Sequence, residues 1–218
     1  MATQQYLRFP AAPNLPLAPD DWDRRYQDQF ANVLRLYFNQ LSGALLALGG
    51  GEGIGGRFLT FPHGQFSDST SQTAASITAA YPITFNTTDF SYGVTVVSNS
   101  RLTVEYAGIY NLQFSVQMQN LDNAPQDIEI WARQNGTNIA STNSRFGLAA
   151  RKSAGVPFHI IGSLNLFLDM SAGDYVELVW NTTNLATDIA AYAAGTTPTR
   201  PAVPSVIATM TFVSAPTA

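Results

Sequence analysis

Residues 110–119 have the sequence Tyr-Asn-Leu-Gln-Phe-Ser-Val-Gln-Met-Gln, directly after Gly108-Ile109. Every even-numbered position carries an apolar side chain and every odd-numbered position a polar one. Because successive side chains of a β-strand point to opposite sides, this alternation predicts a strand with one buried face. The other face is expected to meet solvent or a polar interface.

Shorter runs of the same kind surround this stretch. Asn135-Gly136, between two such runs, is a strong signal for a two-residue β-hairpin. The turns are closely spaced and no helical pattern interrupts the strands, so antiparallel pairing is expected. We predict about ten strands between residues 58 and 214, folded as an antiparallel jelly-roll sandwich. The predicted strands occupy residues 58–61, 81–86, 93–97, 101–105, 110–118, 128–133, 137–141, 158–168, 175–180, 188–193 and 206–213.

Residues 20–48 have a helical pattern instead. Apolar side chains recur there in steps of three and four, which places them on one stripe of an α-helix. Asp20 is the expected N-cap and Gly49 the expected C-terminal stop. The predicted stripe comprises Trp22, Tyr26, Phe30, Val33, Tyr37, Leu41, Ala44 and Leu48.

The segments on either side of the helix differ from it in composition. Residues 1–19 carry Pro10, Pro13, Pro16 and Pro19 at intervals of three, which predicts an extended polyproline arm. Residues 49–57 are rich in glycine and are expected to form a flexible hinge. Arm and helix together suggest an anchor for assembly, although a stiff leader and a helix packed on its own domain are the alternatives. The expected anchoring residues are Leu15, Leu17, Trp22, Tyr26, Phe30, Val33, Tyr37, Leu41 and Leu48.

The composition narrows the classes of function. The chain has 218 residues, a formal net charge of −4 and only 12% charged residues. This balance argues against nucleic-acid binding, which favours a basic surface. The chain has no cysteine, so disulfides and thiolate chemistry are excluded. We expect no signal peptide, no membrane insertion and no cofactor.

Candidate catalytic and metal sites are weak in the sequence. The chain has two histidines, and neither lies at ligand spacing from another ligating residue. Asp122, Asn123 and Asp127 offer oxygen ligands for calcium, but their spacing matches no known loop, so we predict no metal site. Arg145, Arg151 and Lys152 form a small basic loop, a candidate for tip-loop contacts with an anionic glycan, although such a loop is more often simply exposed. We therefore expect no enzyme.

Several motifs resemble known families. Ala107-Gly108-Ile109-Tyr110 with its alternating strand, and the later Leu164-x-Leu166-x-Leu168 followed by Gly173-Asp174-x-Val176-x-Leu178, resemble the jelly rolls of complement globular heads and tumour necrosis factors. Residues 130–137, the run at 84–88 and the final proline-rich loop resemble tailed-phage virion proteins that carry such a domain. The resemblance covers roughly residues 58–214.

This resemblance implies a homotrimer in which apolar side chains of one sheet pack across a three-fold axis. The residues expected at that interface are Tyr110, Phe114, Phe167, Tyr175 and Trp180. It also implies a structural virion protein of a tailed phage, with residues 1–48 bound to capsid, portal, collar or tail proteins. The alternatives are a receptor-binding module for a host cell-surface glycan and, less favoured, a glycan hydrolase.

Overall fold

In the computed structural model, residues 10–49 and 61–215 are described, and for residues 46–49 the description covers the backbone alone. The chain divides into two compact units, Met1–Thr60 and Phe61–Ala218. We call them the N-terminal unit and the β domain. Residues 50–57 of the predicted hinge and residues 58–60 of the predicted first strand lie outside the described residues.

The helix of the N-terminal unit, α1 (Arg24–Gly49), begins later than predicted. Asp23 caps it instead of Asp20, because the backbone N–H of Arg25 donates to Asp23 Oδ1 at 2.8 Å. The N–H of Gln27 donates to the Asp23 carbonyl at 3.2 Å. A side-chain oxygen at this position satisfies a first-turn N–H that has no helical partner. Trp22 therefore precedes the helix and lies outside its stripe.

The described part of the arm, residues 10–19, forms neither helix nor strand. Pro10, Pro13 and Pro16 are half-buried, whereas the residues between them are exposed. This period of three is the one expected for a polyproline arm.

The β domain contains sixteen strands in its described residues. They are β1 (His63–Asp68), β2 (Gln72–Thr73), β3 (Tyr81–Pro82), β4 (Thr87–Tyr92), β5 (Val94–Val97), β6 (Arg101–Val104), β7 (Gly108–Asn120), β8 (Gln126–Gln134), β9 (Thr137–Asn138), β10 (Ser144–Leu148), β11 (Phe158–Met170), β12 (Tyr175–Thr182), β13 (Thr187–Ile189), β14 (Gly195–Thr196), β15 (Thr199–Arg200) and β16 (Val206–Ser214).

Two antiparallel sheets form the sandwich, as the sequence predicted. In the first sheet β11 pairs with one edge of β7, and β16, β1 and β4 follow from its other edge. The short β13 and β2 extend the same sheet beyond the end of β16. The second sheet has the order β10-β8-β12-β6-β5, with β3 beside β12 and β9 beside β8. The fold is a mainly β jelly roll.

The core lies between the sheets, and β7 shows how the sequence builds it. Its even-numbered side chains from Tyr110 to Met118 are buried, and its odd-numbered side chains are partly or wholly exposed. Gly108 opens the strand because a Cβ there would collide with the Phe212 ring and lie 2.8 Å from the Ser214 carbonyl oxygen. The predicted alternation is therefore confirmed. The outward side chains of β7 do not belong to the hydrophobic core.

The predicted hairpin at Asn135-Gly136 is also confirmed. It joins β8 to β9, with φ of +49° at Asn135 and +82° at Gly136. Positive φ at both central residues is what a tight two-residue turn requires. The register that follows pairs Arg133 with Asn138.

Some strand predictions differ from the structure. The strands that were not predicted are β1, β2, β4, β10, β14 and β15. In β4, Phe90 and Tyr92 alternate with polar residues, but all six residues of the strand are exposed. The run predicted at 137–141 ends at Asn138 and turns at Ser141, where φ is +64°. The predicted strand 188–193 is reduced to Thr187–Ile189. The strands β4 and β10 are defined by pairing with β1 and β8, which lie earlier in the chain.

Candidate functional site

The outward side of the first sheet is a broad neutral surface, which we call the association face. Its side chains line up in rows across β11, β7, β16 and β1, because the register pairs outward residues with outward residues. One row, for example, contains Asn165, Gln113, Thr209 and Gln65. The face comprises His159, Ile161, Ser163, Asn165, Phe167 and Asp169 of β11, Ile109, Asn111, Gln113, Ser115, Gln117 and Gln119 of β7, Ile207, Thr209 and Thr211 of β16, and His63, Gln65 and Ser67 of β1.

Large apolar side chains stand on this face without cover. Phe167 is 66% exposed and Ile161 is 59% exposed, although both lie in the middle of a regular strand. Asp169 is the one Asp, Glu, Lys or Arg among the outward residues of these four strands in the described structure. Depletion of charge together with exposed aromatic and aliphatic groups is typical of the centre of a protein interface.

A hollow of about 440 Å³ lies in the centre of the association face. Its lining includes Ser115 and Ser163, which are cross-strand partners and have short side chains. Asn165 borders the hollow and accepts a hydrogen bond from Asn111 Nδ2 at 2.5 Å. The centre of the face is therefore recessed, with uncharged polar groups that can hydrogen-bond to an opposing surface.

One end of the association face carries a group of titratable side chains. Tyr192 OH donates to Gln119 Oε1 at 2.5 Å and lies 3.0 Å from His159 Nδ1. Asp188 is the cross-strand neighbour of Gln119, and its buried Oδ1 has no hydrogen-bond partner among the described residues. Burial raises the pKa of Asp188 above its ordinary value, and the nearby Gln119 and His159 reduce that rise.

The outward side of the second sheet is different, because much of it is already covered within the chain. Glu177 and Val179 point away from the core on β12, yet both are buried. Ser100 Oγ donates to Glu177 Oε1 at 2.9 Å. Arg101 Nε lies 3.5 Å from the same oxygen without hydrogen-bond geometry, and its guanidinium stacks on the Tyr175 ring at 4.5 Å. In this half of the surface, the polar and charged side chains therefore contact one another within the chain, and we call them the paired network.

The other half of that surface holds an open cleft of about 290 Å³, which we call the Trp131 cleft. It lies over β8 and β12 beside the segment that leads from β9 to β10. Its lining includes Glu129, Trp131, Asn138, Ser141, Asn143 and Asn181. Neither this cleft nor its residues were predicted from the sequence. The Asn135-Gly136 hairpin was the available signal, since its register places Asn138 near Trp131 and Arg133.

Three of the five residues predicted for a trimer interface belong to the core of the chain itself. Tyr110, Phe114 and Trp180 are at most 4% exposed and pack between the two sheets. Phe167 does lie on the association face. Tyr175 lies on the opposite side of the sandwich, beneath Arg101. The prediction for the three core residues was wrong because an inward and an outward aromatic on alternating strands look alike in sequence.

The predicted anchoring residues divide into two groups. Tyr26, Phe30, Val33, Tyr37 and Leu41 form a half-buried stripe on α1. The side chain of Leu48 lies outside the described residues. The other predicted residues are exposed, Trp22 at 78% and Leu17 at 95%, with Leu15 at 42%. From Arg24 to Leu45, α1 has no buried side chain in the described structure. Its apolar stripe is therefore not packed into a hydrophobic core.

The three basic residues predicted at a loop do not form one group. Arg145 lies on β10, where Nε donates to Glu129 Oε1 at 2.7 Å. Arg151 follows in the loop after β10, and its backbone N–H donates to the Asp122 carbonyl at 2.8 Å. Lys152 is exposed in the same loop. Arg145 therefore belongs to the border of the Trp131 cleft and not to a basic patch.

Of the three candidate calcium ligands, Asp122 is held by amide groups. Asp122 Oδ2 accepts hydrogen bonds from Gln126 Nε2 at 2.6 Å and Asn184 Nδ2 at 2.8 Å. Within the described residues, no group of three His, Cys, Asp or Glu side chains is placed to hold a metal ion. In the same part of the chain, no helix is both long enough and apolar enough to cross a membrane.

Comparison with known proteins finds likeness in structure and none in sequence. No protein-family model matches the chain, and no curated protein sequence matches it. The globular domain of the zebrafish complement 1qA protein is similar in structure, with a TM-score of 0.42 and 12% sequence identity. The match covers 72% of this chain and 100% of the other. The jelly-roll assignment rests on the strand pairing and burial of this chain itself.

Proposed function

We propose that the β domain is a homotrimeric binding domain and that it is displayed as a knob on the particle of a tailed phage, without enzymatic activity. The observation that carries the trimer is the association face, which has one charged side chain, Asp169, and exposed Phe167 and Ile161 in its rows. Around a three-fold axis, side chains close to the axis meet their own copies, so like charges there would repel. A nearly uncharged face avoids that cost.

The N-terminal unit fits the role of an anchor in this proposal. The stripe of Tyr26, Phe30 and Tyr37 is apolar but only half-buried. Burying such a stripe stabilises a helix, and α1 has no buried side chain through Leu45 in the described structure. Capsid, portal, collar or tail proteins would supply the missing cover. The virion location itself rests on the resemblance of residues 84–88 and 130–137 to phage proteins.

The trimer is tested by sedimentation of the full chain at micromolar concentration. We expect a species of three times the 23.5 kDa chain mass. Phe167→Asp and Ile161→Asp place charges at the proposed interface and should each shift the protein to the monomer. Val97→Asp is the matched control, because Val97 is 45% exposed but belongs to the second sheet. A monomeric wild type, or equal dissociation by Val97→Asp, contradicts the proposed interface.

The anchor is tested separately, by incorporation of the tagged full chain into assembled particles. Phe30→Asp combined with Tyr37→Asp should prevent incorporation while leaving the trimer intact. Gln29→Asp, at an exposed position of the same helix, should leave incorporation unchanged. Normal incorporation of the double variant would show that the stripe is not the anchor, whatever the oligomeric state.

A second candidate function, binding of a host cell-surface glycan, is favoured by one specific observation. The Trp131 cleft is concave, contains an aromatic side chain and several amides, and lies on the opposite side of the sandwich from the association face. Trimer formation would therefore leave it accessible. The two functions are compatible in a single displayed domain.

A further inference from the structure

The walls of the Trp131 cleft are held in place by hydrogen bonds within the chain. Trp131 Nε1 donates to Asn138 Oδ1 at 2.9 Å, and Arg133 Nε donates to the same oxygen at 3.2 Å. These bonds fix the indole ring on β8 against the first residues after the hairpin. A fixed ring loses little conformational entropy when a ligand packs on it, which favours binding.

The carboxylate in the cleft is already paired within the chain. The Glu129 carboxylate is paired with Arg145, whose Nη2 lies 2.5 Å from Oε1, and Asn143 Nδ2 donates to Oε2 at 3.2 Å. These hydrogen bonds, chiefly that from Arg145, lower the pKa of Glu129, so the group stays ionised. Because Glu129 and Arg145 neutralise each other, this pair offers no surplus charge to an ionic ligand. The other charged group at the wall, Arg133, is bound through Nε to Asn138.

Hydrogen-bonding groups of both kinds remain open to a ligand. Asn138 Nδ2 and Asn143 Oδ1 have no partner among the described residues, since only the other atom of each amide is bonded. The side chains of Asn181 and Ser141 make no hydrogen bond in the described structure either. Donors and acceptors are therefore interleaved around one aromatic ring. Hydroxyl groups, which donate and accept at once, match such a mixture.

We propose that the Trp131 cleft binds one uncharged sugar ring, whose hydroxyls bond to Glu129, Asn138, Asn143 and Asn181 while its apolar side lies on Trp131. The volume of about 290 Å³ is at the lower end of the range of ligand pockets, so it suits a single ring better than a long chain. The open sides allow a longer glycan to continue into solvent. This inference rests on the second candidate function above and gives it a site and a ligand class.

The test uses the full chain labelled with 5-fluorotryptophan, which gives three fluorine resonances for Trp22, Trp131 and Trp180. Methyl glycosides of glucose, galactose, mannose and N-acetylglucosamine are the probes, and methyl glucuronide is the charged counterpart. We expect at least one neutral glycoside to shift the Trp131 resonance in a saturable, millimolar titration. The resonances of the buried Trp180 and of Trp22, which belongs to the N-terminal unit, should not move. Trp131→Phe assigns the resonance.

Variants locate the site. Asn181→Ala and Glu129→Gln should each weaken binding of the neutral glycoside at least ten-fold. Ser141→Ala is a further variant, which lies in an exposed turn and leaves the strand pairing unchanged. Gln113→Ala, in the hollow of the association face, is the matched control and should bind as the wild type does. A thermal melt of each variant verifies that it is folded.

Three results would overturn the inference: no shift with any neutral glycoside at tens of millimolar, unchanged binding by folded Asn181→Ala, or equal binding of the glucuronide. Sedimentation of the same samples separates this failure from failure of the trimer. A trimer without sugar binding refutes the cleft alone, and a sugar-binding monomer refutes the association face alone.

Discussion

On both outward surfaces of the sandwich, side chains alternate in the same way along the strands. The two surfaces differ in how far these outward side chains are buried. On β11, outward residues such as Phe167 and Ile161 are exposed, and nothing in the described chain covers them. On β12, the outward Glu177 and Val179 are buried by neighbouring side chains. Alternation thus sets only the direction of a side chain. Whether that direction ends in solvent, in the same chain or in a partner depends on the surrounding elements.

The difference between the two surfaces is tested most directly by placing one charged side chain at an outward position of each sheet. Val179→Asp puts a carboxylate at a fully buried position between Trp131 and Pro82, its cross-strand neighbours. An uncompensated buried charge costs about 3–5 kcal/mol of unfolding free energy. Ile161→Asp on the first sheet should leave that free energy nearly unchanged per folded monomer. Urea denaturation monitored by circular dichroism measures both.

Equal stability of the two aspartate variants would contradict the division between a covered and an uncovered surface. The comparison should be made at a protein concentration where the Ile161→Asp variant sediments as a monomer, so that lost association is not counted as lost folding.

The paired network on the second sheet predicts an intermediate effect. Glu177→Ala removes the acceptor of the Ser100 hydroxyl and the counter-charge of Arg101. Leaving buried polar groups without partners should lower the unfolding free energy by about 1–3 kcal/mol. Asp169→Ala on the association face is the matched control, for which a change within about 0.5 kcal/mol is expected. A Glu177→Ala variant as stable as the control would show that the network contributes nothing net.

The smallest effect concerns Asp188 and depends on pH. Because burial raises its pKa above 3.8, the folded chain keeps this proton at a pH where the unfolded chain has lost it. The stabilisation is therefore complete below about pH 3.8 and is lost as the pH rises through the folded pKa. Asp188→Asn removes that dependence. Thermal melts should show the variant gaining stability relative to wild type as the pH rises towards neutrality.

For this prediction Asp169→Asn, on the neighbouring β11 but exposed, is the control and should keep the wild-type dependence on pH. A constant difference between Asp188→Asn and wild type across the acidic range would mean that Asp188 does not titrate differently in the folded chain.

Local patterns predicted most of the fold. The alternation from Tyr110 to Met118 determined β7, and the Asn135-Gly136 turn fixed the β8–β9 hairpin and its register. Both signals act over neighbouring residues, so the sequence alone displays them. The strand β4 was missed although Phe90 and Tyr92 alternate with polar residues, because all its residues are exposed and its strand partner, β1, is distant in sequence.

The functional surfaces were predicted less well, for a related reason. Tyr110, Phe114 and Trp180 were expected at an interface but fill the core, whereas Phe167 does lie outside. Asn138 and Asn181 are 43 positions apart in sequence and line the same cleft only because β8 pairs with β12 on one side and turns into β9 at the hairpin. No spacing rule brings such residues together.

The sequence by itself determined that the chain has an N-terminal helix followed by an antiparallel β domain, that its helix carries an apolar stripe, and that cysteine chemistry is absent. These features depend on period, turn residues and composition, all of which act locally. Only the tertiary structure decided which outward residues are covered, such as Val179, and which are free, such as Phe167. Burial is a sum over neighbours that are distant in sequence, so it is fixed only when both sheets and their connecting segments are in place.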